Sequence, residues 1–376
     1  MKKIQMVDLV SQYEKIKPEV LSSIEEILDT ATFINGPAVK SFQSDLEKYL
    51  NVKHVIPCAN GTDALQIALM ALNLEPGSEV ITSDFTFAAT VEVVKLLGFK
   101  PVLVDVDIDN FNISLEAIEK AITPKTKVII PVHLFGQCAD MEPLLALAKK
   151  HQIHIVEDTA QGIGAEYTFS NGTKHFAGTM GIIGTTSFFP SKNLGGFGDG
   201  GAIFTNDDEM AMIMRSIVNH GMGVRYYYDR VGVNSRLDSI QAAILGIKLK
   251  HLDTYIEARQ KAAAYYTNFF NEIDGVTPPK IESYTTHVFH QYTLKIDNLN
   301  QFEAQKFLNE MGVPAMIYYP VPLHSQKAYD AENYNDSDFK NTNKLCQTVL
   351  SLPMHTELED NQLQYICEAV KKYITK

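Results

Sequence analysis

Apolar positions along the chain fall into two rhythms. Between residues 18 and 30, Val20, Leu21, Ile24, Ile27 and Leu28 recur at helical spacing. Pro18 stands near the start of that stripe, where a missing backbone N–H is harmless. Asn35-Gly36-Pro37 breaks the pattern, and a second amphipathic helix is predicted over 39–50. A shorter rhythm then sets in. Apolar runs at 54–57, 79–82, 101–105, 127–132 and 154–157 alternate with helical patterns at 62–72, 88–97, 115–121 and 141–149. Strands apolar on both faces, separated by helices, predict an α/β fold with a mostly parallel sheet covered on both sides. Residues 184–189 and 202–205 read as two further strands.

From 238 to 273 one helical pattern persists, with Ala242, Leu245, Leu249, Leu252, Ile256 and Tyr265 near one stripe. It predicts one long helix, or a kinked pair, bridging two domains. Gly275-Val-Thr-Pro-Pro marks a boundary. Beyond it lie a strand at 291–296, a helix at 301–310, a short strand at 317–319 and a last helix at 361–372. The expected organisation is a large domain over 1–250 and a small α+β domain over 251–376, within the usual domain range. The N-terminal segment is a candidate to pack on the small domain.

Composition narrows the function classes. A net charge of −12 argues against non-specific nucleic-acid binding. No run of about 18 apolar residues occurs, and the start lacks a signal-peptide core, so a soluble cytoplasmic protein is expected. The four cysteines show neither a C-x-x-C nor a metal spacing, and they read as reduced core thiols. No metal is expected.

In open parallel sheets, ligands bind at the carboxyl ends of the strands. Collecting residues there gives a chemical inventory. After the first strand, Asn60-Gly61-Thr62-Asp63 feeds a helix whose first turn offers free N–H groups to a phosphate. Phe87 follows the second strand and could stack on a planar ring. Asp158 and Gln161 follow the strand at 154–157, and a buried carboxylate there needs a cationic or hydrogen-bonding partner. Ser187 lies near the end of its strand. Lys192 comes next, before five glycines in T-T-S-F-F-P-S-K-N-L-G-G-F-G-D-G-G (185–201). A loop lysine alone is a solvated charge, but a desolvated one has a lowered pKa and can form a Schiff base. Pyridoxal phosphate requires these parts together: a phosphate cradle, a ring sandwich, an acid on the pyridinium nitrogen and a lysine.

Gly196, Gly198 and Gly201 also spell G-x-G-x-x-G. The dinucleotide reading fails because a strand, not a helix, follows. A kinase reading fails for want of H-R-D and D-F-G.

The motifs A-N-G-T-D-A-L-Q, V-E-D-T-A-Q, S-F-F-P-S-K-N-L-G, G-D-G-G-A-I-F-T-N-D-D and G-V-N-S-R-L-D carry a resemblance. It runs nearly end to end, from F-I-N-G-P (33–37) to S-L-P-M-H (351–355). The chain resembles the DegT/DnrJ-type sugar aminotransferases. That resemblance implies the aspartate-aminotransferase fold (fold type I), pyridoxal 5′-phosphate, and transfer of an amino group to a nucleotide-linked keto sugar. Lys192 would be the cofactor's lysine and Asp158 the partner of the ring nitrogen. Gln161 would lie over the ring and Phe87 on its opposite face. Gly61, Thr62 and Ser187 would hold the phosphate, with Asp63 adjacent. Asn234 would reach the phosphate from the other subunit, which implies a homodimer with shared active sites. Arg236 would meet the acidic group of the donor or sugar, and Arg225, Arg230, Tyr319 and His324 are further substrate candidates. Relatives with dehydratase activity carry histidine where Lys192 stands. L-glutamate is the implied donor. The wording is most similar to the branch acting on UDP-2-acetamido-2-deoxy-3-oxo-glucuronate in surface-polysaccharide (lipopolysaccharide O-antigen) synthesis, with dTDP-3-keto-6-deoxyhexose enzymes as near neighbours. A non-catalytic pyridoxal-phosphate-binding regulator is the rival from another class.

Overall fold

A computed structural model describes residues 2–329 and 333–375. Two helices, α1 (Leu9–Thr30) and α2 (Pro37–Leu50), precede an alternating stretch: β1 (His54–Cys58), α3 (Gly61–Ala71), β2 (Glu79–Ser83), α4 (Ala89–Leu96), β3 (Lys100–Val104), α5 (Leu115–Ala121), β4 (Thr126–Ile130), α6 (Met141–His151) and β5 (His154–Asp158). A hairpin of β6 (Glu166–Thr168) and β7 (Lys174–Phe176) leads to β8 (Ile183–Ser187), β9 (Gly201–Thr205) and α7 (Asp208–Ile217). A second hairpin pairs β10 (Met222–Val224) with β11 (Tyr227–Tyr228), before α8 (Ser239–Leu249) and α9 (Leu252–Phe270). The remainder comprises β12 (Val276–Thr277), β13 (Tyr292–Ile296), α10 (Gln301–Glu310), α11 (Lys340–Thr348), β14 (Val349–Leu352) and α12 (Asp360–Ile374).

The main sheet has seven strands in the order β1-β9-β8-β5-β4-β2-β3. Only β9 runs against the rest, pairing antiparallel with β1 and β8. Strand residues point alternately to two separate cores. Val55, Ile81, Ile129 and Ile155 join Phe42 and Leu46 of α2 and Leu144 of α6 on one face. Their neighbours Ile56, Val80, Val128 and Val156 join Leu65, Ala68 and Leu69 of α3 on the other. That alternation is why these strands read as continuous apolar runs. With β1, β2, β5 and β8 parallel, their carboxyl ends open on one edge.

A further core forms around the three-stranded sheet β12-β13-β14, where Tyr292 and Leu294 meet Tyr266 and Phe270 of α9 and Leu363 and Ile366 of α12. Ile4 sits in this core, and the Met354 N–H donates to the Met6 carbonyl. Helix α9 serves both bodies: Leu252 and Ile256 lie in the sheet core, Ala262 and Tyr266 in the C-terminal one.

Two expectations, the first and the last below, need correction, and the choice left open over 238–273 is decided. The first helix starts at Leu9, not near Pro18, with the Asp8 carboxylate accepting from Ser11 N–H at 2.9 Å. Pro18 lies inside it, at a cost of about 3 kcal/mol. Burial of Ile16 and Val20 against Ile244 and Ile247 of α8 offsets this, since each full apolar burial is worth about 1.5–3 kcal/mol. Secondly, the pattern at 238–273 is the kinked pair, broken between α8 and α9. Lastly, no strand forms at 317–319; a single bridge, Met316 to Ser351, takes its place.

Candidate active site

The carboxyl edge of the sheet holds a cavity of about 440 Å³. Its floor begins at α3. Asn60 caps this helix, its side-chain oxygen accepting from Asp63 N–H at 2.8 Å while its carbonyl accepts from Ala64 N–H. Among the described residues the N–H groups of Gly61 and Thr62 stay unclaimed at a helix start on the cavity wall. Gly61 is required there: a Cβ on it would lie 2.6 Å from the Ser187 Cβ. On β9, Gly201 pairs with both Cys58 and Ser187, and a Cβ on it would lie 2.4 Å from the Asn60 carbonyl oxygen. Glycine at both positions lets the helix start approach Ser187, so two helix N–H groups and the Ser187 hydroxyl line the same cavity.

Lys192 rises from the loop after β8, and its amine faces the cavity without a hydrogen-bond partner among the described residues. Burial lowers its pKa to about 8, and the negative charge of Asp158 partly offsets that fall. Asp158 ends β5 and is 5% exposed. One of its oxygens accepts from the Thr90 hydroxyl at 2.8 Å, the other from Ala160 N–H at 3.1 Å. Two donors leave a carboxylate with spare lone pairs. Gln161 is locked at both ends of its amide, accepting from Phe135 N–H at 2.8 Å and donating to the Tyr319 hydroxyl at 3.1 Å. Burial raises the Tyr319 phenol well above its ordinary range, so it stays protonated. Phe87, 59% exposed, lies on the cavity wall.

Glu157, next to Asp158, points to the opposite face and is fully buried. Its carboxylate accepts from Gly178, Met180 and Gly181 N–H at 2.9, 2.6 and 2.5 Å. A fourth bond comes from His133, whose Nδ1 accepts from Ala139 N–H, which leaves the proton on Nε2 to donate at 2.8 Å.

Thus Lys192, Asp158, Gln161, Phe87, Gly61, Thr62, Ser187 and Tyr319 meet in one cavity. Others do not. Asp63 turns away from it, contributing only a capped N–H. Asn234 is exposed, and Arg236 bonds it through Nε and Nη2 at 2.8 and 2.5 Å, both outside the cavity of their own chain. Arg225 and Arg230 are exposed around the β10–β11 hairpin, Arg225 lying over the Tyr226 ring at 5.1 Å. His324 is a correction: it is buried, with Nδ1 on Asp84 at 2.7 Å, Nε2 on Asp336 at 2.9 Å and its ring stacked on Phe339. Burial lowers its pKa, but bonds to the two carboxylates outweigh this and raise it above the ordinary value. With both nitrogens engaged it ties Asp336 to Asp84 at the end of β2 rather than meeting a ligand. Sequence reading also missed Thr90, Thr86 and His290. Nothing in their local sequence sets them apart, because the fold alone brings them beside Asp158 and Lys192.

The cavity fits pyridoxal phosphate: an anion cradle that a Cβ at Gly61 would fill, a carboxylate with free lone pairs, an exposed aromatic wall and an unpartnered amine. Residues 14–371 match the model of the DegT/DnrJ/EryC1/StrS aminotransferase family. The chain belongs to that family. It is 46% identical over 98% of both chains to a pleiotropic regulatory protein of Geobacillus stearothermophilus. It is 44% identical to the UDP-2-acetamido-2-deoxy-3-oxo-D-glucuronate aminotransferase of Pseudomonas aeruginosa, over 98% of this chain and 99% of that one. Among solved structures it superposes on NtdA of Bacillus subtilis, which holds bound cofactor PMP, with a TM-score of 0.89 and 32% identity over 96% of this chain and 82% of that one. The fold is that of the pyridoxal-phosphate aminotransferases, and this family member is a pyridoxal-phosphate-dependent sugar-nucleotide aminotransferase.

Proposed function

We propose that the enzyme moves the amino group of L-glutamate to the 3-keto carbon of UDP-2-acetamido-2-deoxy-3-oxo-glucuronate, in the cytoplasm, on the way to lipopolysaccharide O-antigen. The observation that carries the reaction type is the partnerless amine of Lys192, with a pKa of about 8, set beside Asp158 in a cavity with an anion cradle. Full-length identity of 44% to the Pseudomonas aeruginosa enzyme supports the substrate.

The residues divide the labour. Gly61 and Thr62 N–H and the Ser187 hydroxyl bind the phosphate, Asp63 lending only its place in the helix start. Phe87 and Gln161, both on the cavity wall, would hold the cofactor ring. Asp158, with spare lone pairs, would accept a hydrogen bond from the ring nitrogen and favour its protonated form. When bound, pyridoxal phosphate supplies an aldehyde to take up the amino group and a ring to delocalise the electron pair left on carbon. Lys192 Nζ would take the proton from the donor's α-carbon and hold it for return, a role that suits an amine partly neutral near pH 8. Tyr319 faces the sugar. Asn234 and Arg236 have no place in their own cavity; in a homodimer with shared sites each subunit offers them to the other, Arg236 meeting a carboxylate. Arg225 and Arg230 extend that cationic edge.

The test combines purified enzyme, L-glutamate and UDP- or dTDP-linked 3-keto sugars, with mass spectrometry of the products. A UDP-linked 3-amino uronate is expected. Amination of dTDP-3-keto-6-deoxyhexoses alone would overturn the substrate assignment in favour of that branch.

A further inference from the structure

His290 lies on the run 287–291 that enters β13, and it lines the cavity with Lys192, Thr86 and Gln291. Its backbone is held on two sides. Val288 and Gln291 N–H donate to the Gly136 and Phe135 carbonyls at 2.8 and 3.3 Å. Arg259, buried in α9, donates from Nη1 to the carbonyls of Phe289, His290 and Met354 at 3.1, 3.4 and 3.0 Å. Backbone so fixed gives the side chain a steady point of attachment on the cavity wall.

The ring is 6% exposed. Its Nδ1 is sealed from solvent and has no partner among the described residues, which leaves Nε2 as the nitrogen for the cavity that the residue lines. A sealed N–H without an acceptor is rarer and costlier than a bare lone pair. The proton therefore sits on Nε2, assigned from this hydrogen-bond inventory. Burial, then the nearby charges of Lys192 and Arg259, push the pKa well below the ordinary histidine value, so the ring stays neutral. A neutral imidazole N–H can polarise a carbonyl without giving up its proton. A carboxylate would instead favour a cation.

We propose that His290 is a further catalytic residue, donating from Nε2–H to the carbonyl oxygen of the keto sugar. The proposal rests on reading the cavity as a keto-sugar site. As nitrogen adds to the carbonyl carbon, the π pair moves onto oxygen, where the His290 N–H meets the growing charge. The proton that neutralises that oxygen leaves the attacking nitrogen, and His290 keeps its own.

The two half-reactions separate the claims. The first is started with L-glutamate and followed by cofactor absorbance; the second is started with the UDP-linked 3-keto sugar on the amine form. His290→Leu should slow the sugar half about 10²–10³-fold, the usual cost of losing one donor at a developing oxyanion, and leave the glutamate half within about threefold. His290→Gln, which keeps an N–H, should recover about tenfold or more of that loss. Equal slowing of both halves, or of neither, overturns the role. A wild-type enzyme that reacts with glutamate but with no UDP- or dTDP-linked keto sugar sinks the keto-sugar reading instead, and His290 with it. A readout independent of turnover is nitrogen NMR of labelled histidines in cofactor-free protein, with His290 assigned by its loss in His290→Gln. A neutral ring protonated on Nε2 is expected from about pH 6 to 9; titration near about 6.5, or a proton on Nδ1, overturns the proposal even where His290→Leu does not fold.

Discussion

Glu157 and Asp158 are consecutive carboxylates on one strand, and the fold treats them oppositely. Glu157 receives four hydrogen bonds in a sealed site, and its lone pairs are spent. Asp158 receives two, and its remaining capacity faces a cavity shared with an amine that has no partner. The first arrangement binds the turn at 178–181 to the sheet. The second is incomplete by itself, and incompleteness at a buried polar group is what a ligand can cure. Period-two alternation alone sends one side chain to structure and the other to chemistry.

The contrast can be broken most directly at the amine. Lys192→Ala should lower turnover by about 10³-fold or more, because it removes both the nucleophile and the proton carrier, while the thermal midpoint stays near wild type. Near-normal transamination by that variant would refute the assignment. Next come the two carboxylates as a pair. Glu157→Ala strands four donors and should cost about 3–5 kcal/mol, read as a large drop in thermal midpoint. Asp158→Asn should hold its midpoint yet lose about 10²-fold or more in activity. If the two variants behaved alike, the division between structural and chemical carboxylate would be lost.

A smaller effect concerns charge. In cofactor-free protein, Lys192 should become reactive toward an amine-acylating reagent as pH rises through about 8, whereas surface lysines do so near about 10.4. The sign for Asp158→Asn follows from its charge. Asp158 favours the ammonium form, so its removal should move the transition below 8. Peptide mass spectrometry across a pH series would measure both; an unchanged or upward shift excludes the coupling. The smallest effect is at the helix start. Asn60→Ala removes one cap bond and should cost about 1 kcal/mol, with weaker phosphate retention and little change in the rate of the saturated enzyme. A loss comparable to that of Glu157→Ala would mean the Asn60 side chain does more than cap.

Much of this was legible before any coordinates. The strand ends carrying Asn60, Asp158 and Ser187 could be placed because strands buried on both faces stand out as apolar runs, and a parallel sheet gathers their carboxyl ends. Where reading failed, distance in the chain was responsible. Thr90 reaches Asp158 across 68 residues. The sealed Nδ1 of His290 is visible only in the folded chain. His324 was offered as a ligand contact on motif alone, and no local pattern could reveal Asp84, 240 residues away, waiting for its ring. Pro18 misled for a related reason. Its penalty is local, while the compensation comes from α8, more than two hundred residues on.

Arg259 deserves a last consequence. One guanidinium clasps three carbonyls and ties the strip bearing His290 to the C-terminal body, while Phe135, Gly136 and Asn193 tie the same strip to the main sheet and to the loop of Lys192. A substitution that shifted either set of bonds would widen or narrow the gap from imidazole to amine without altering any residue that meets the sugar. Preference among substrates in such a scaffold can thus drift through substitutions at a seam well away from the place where bonds change.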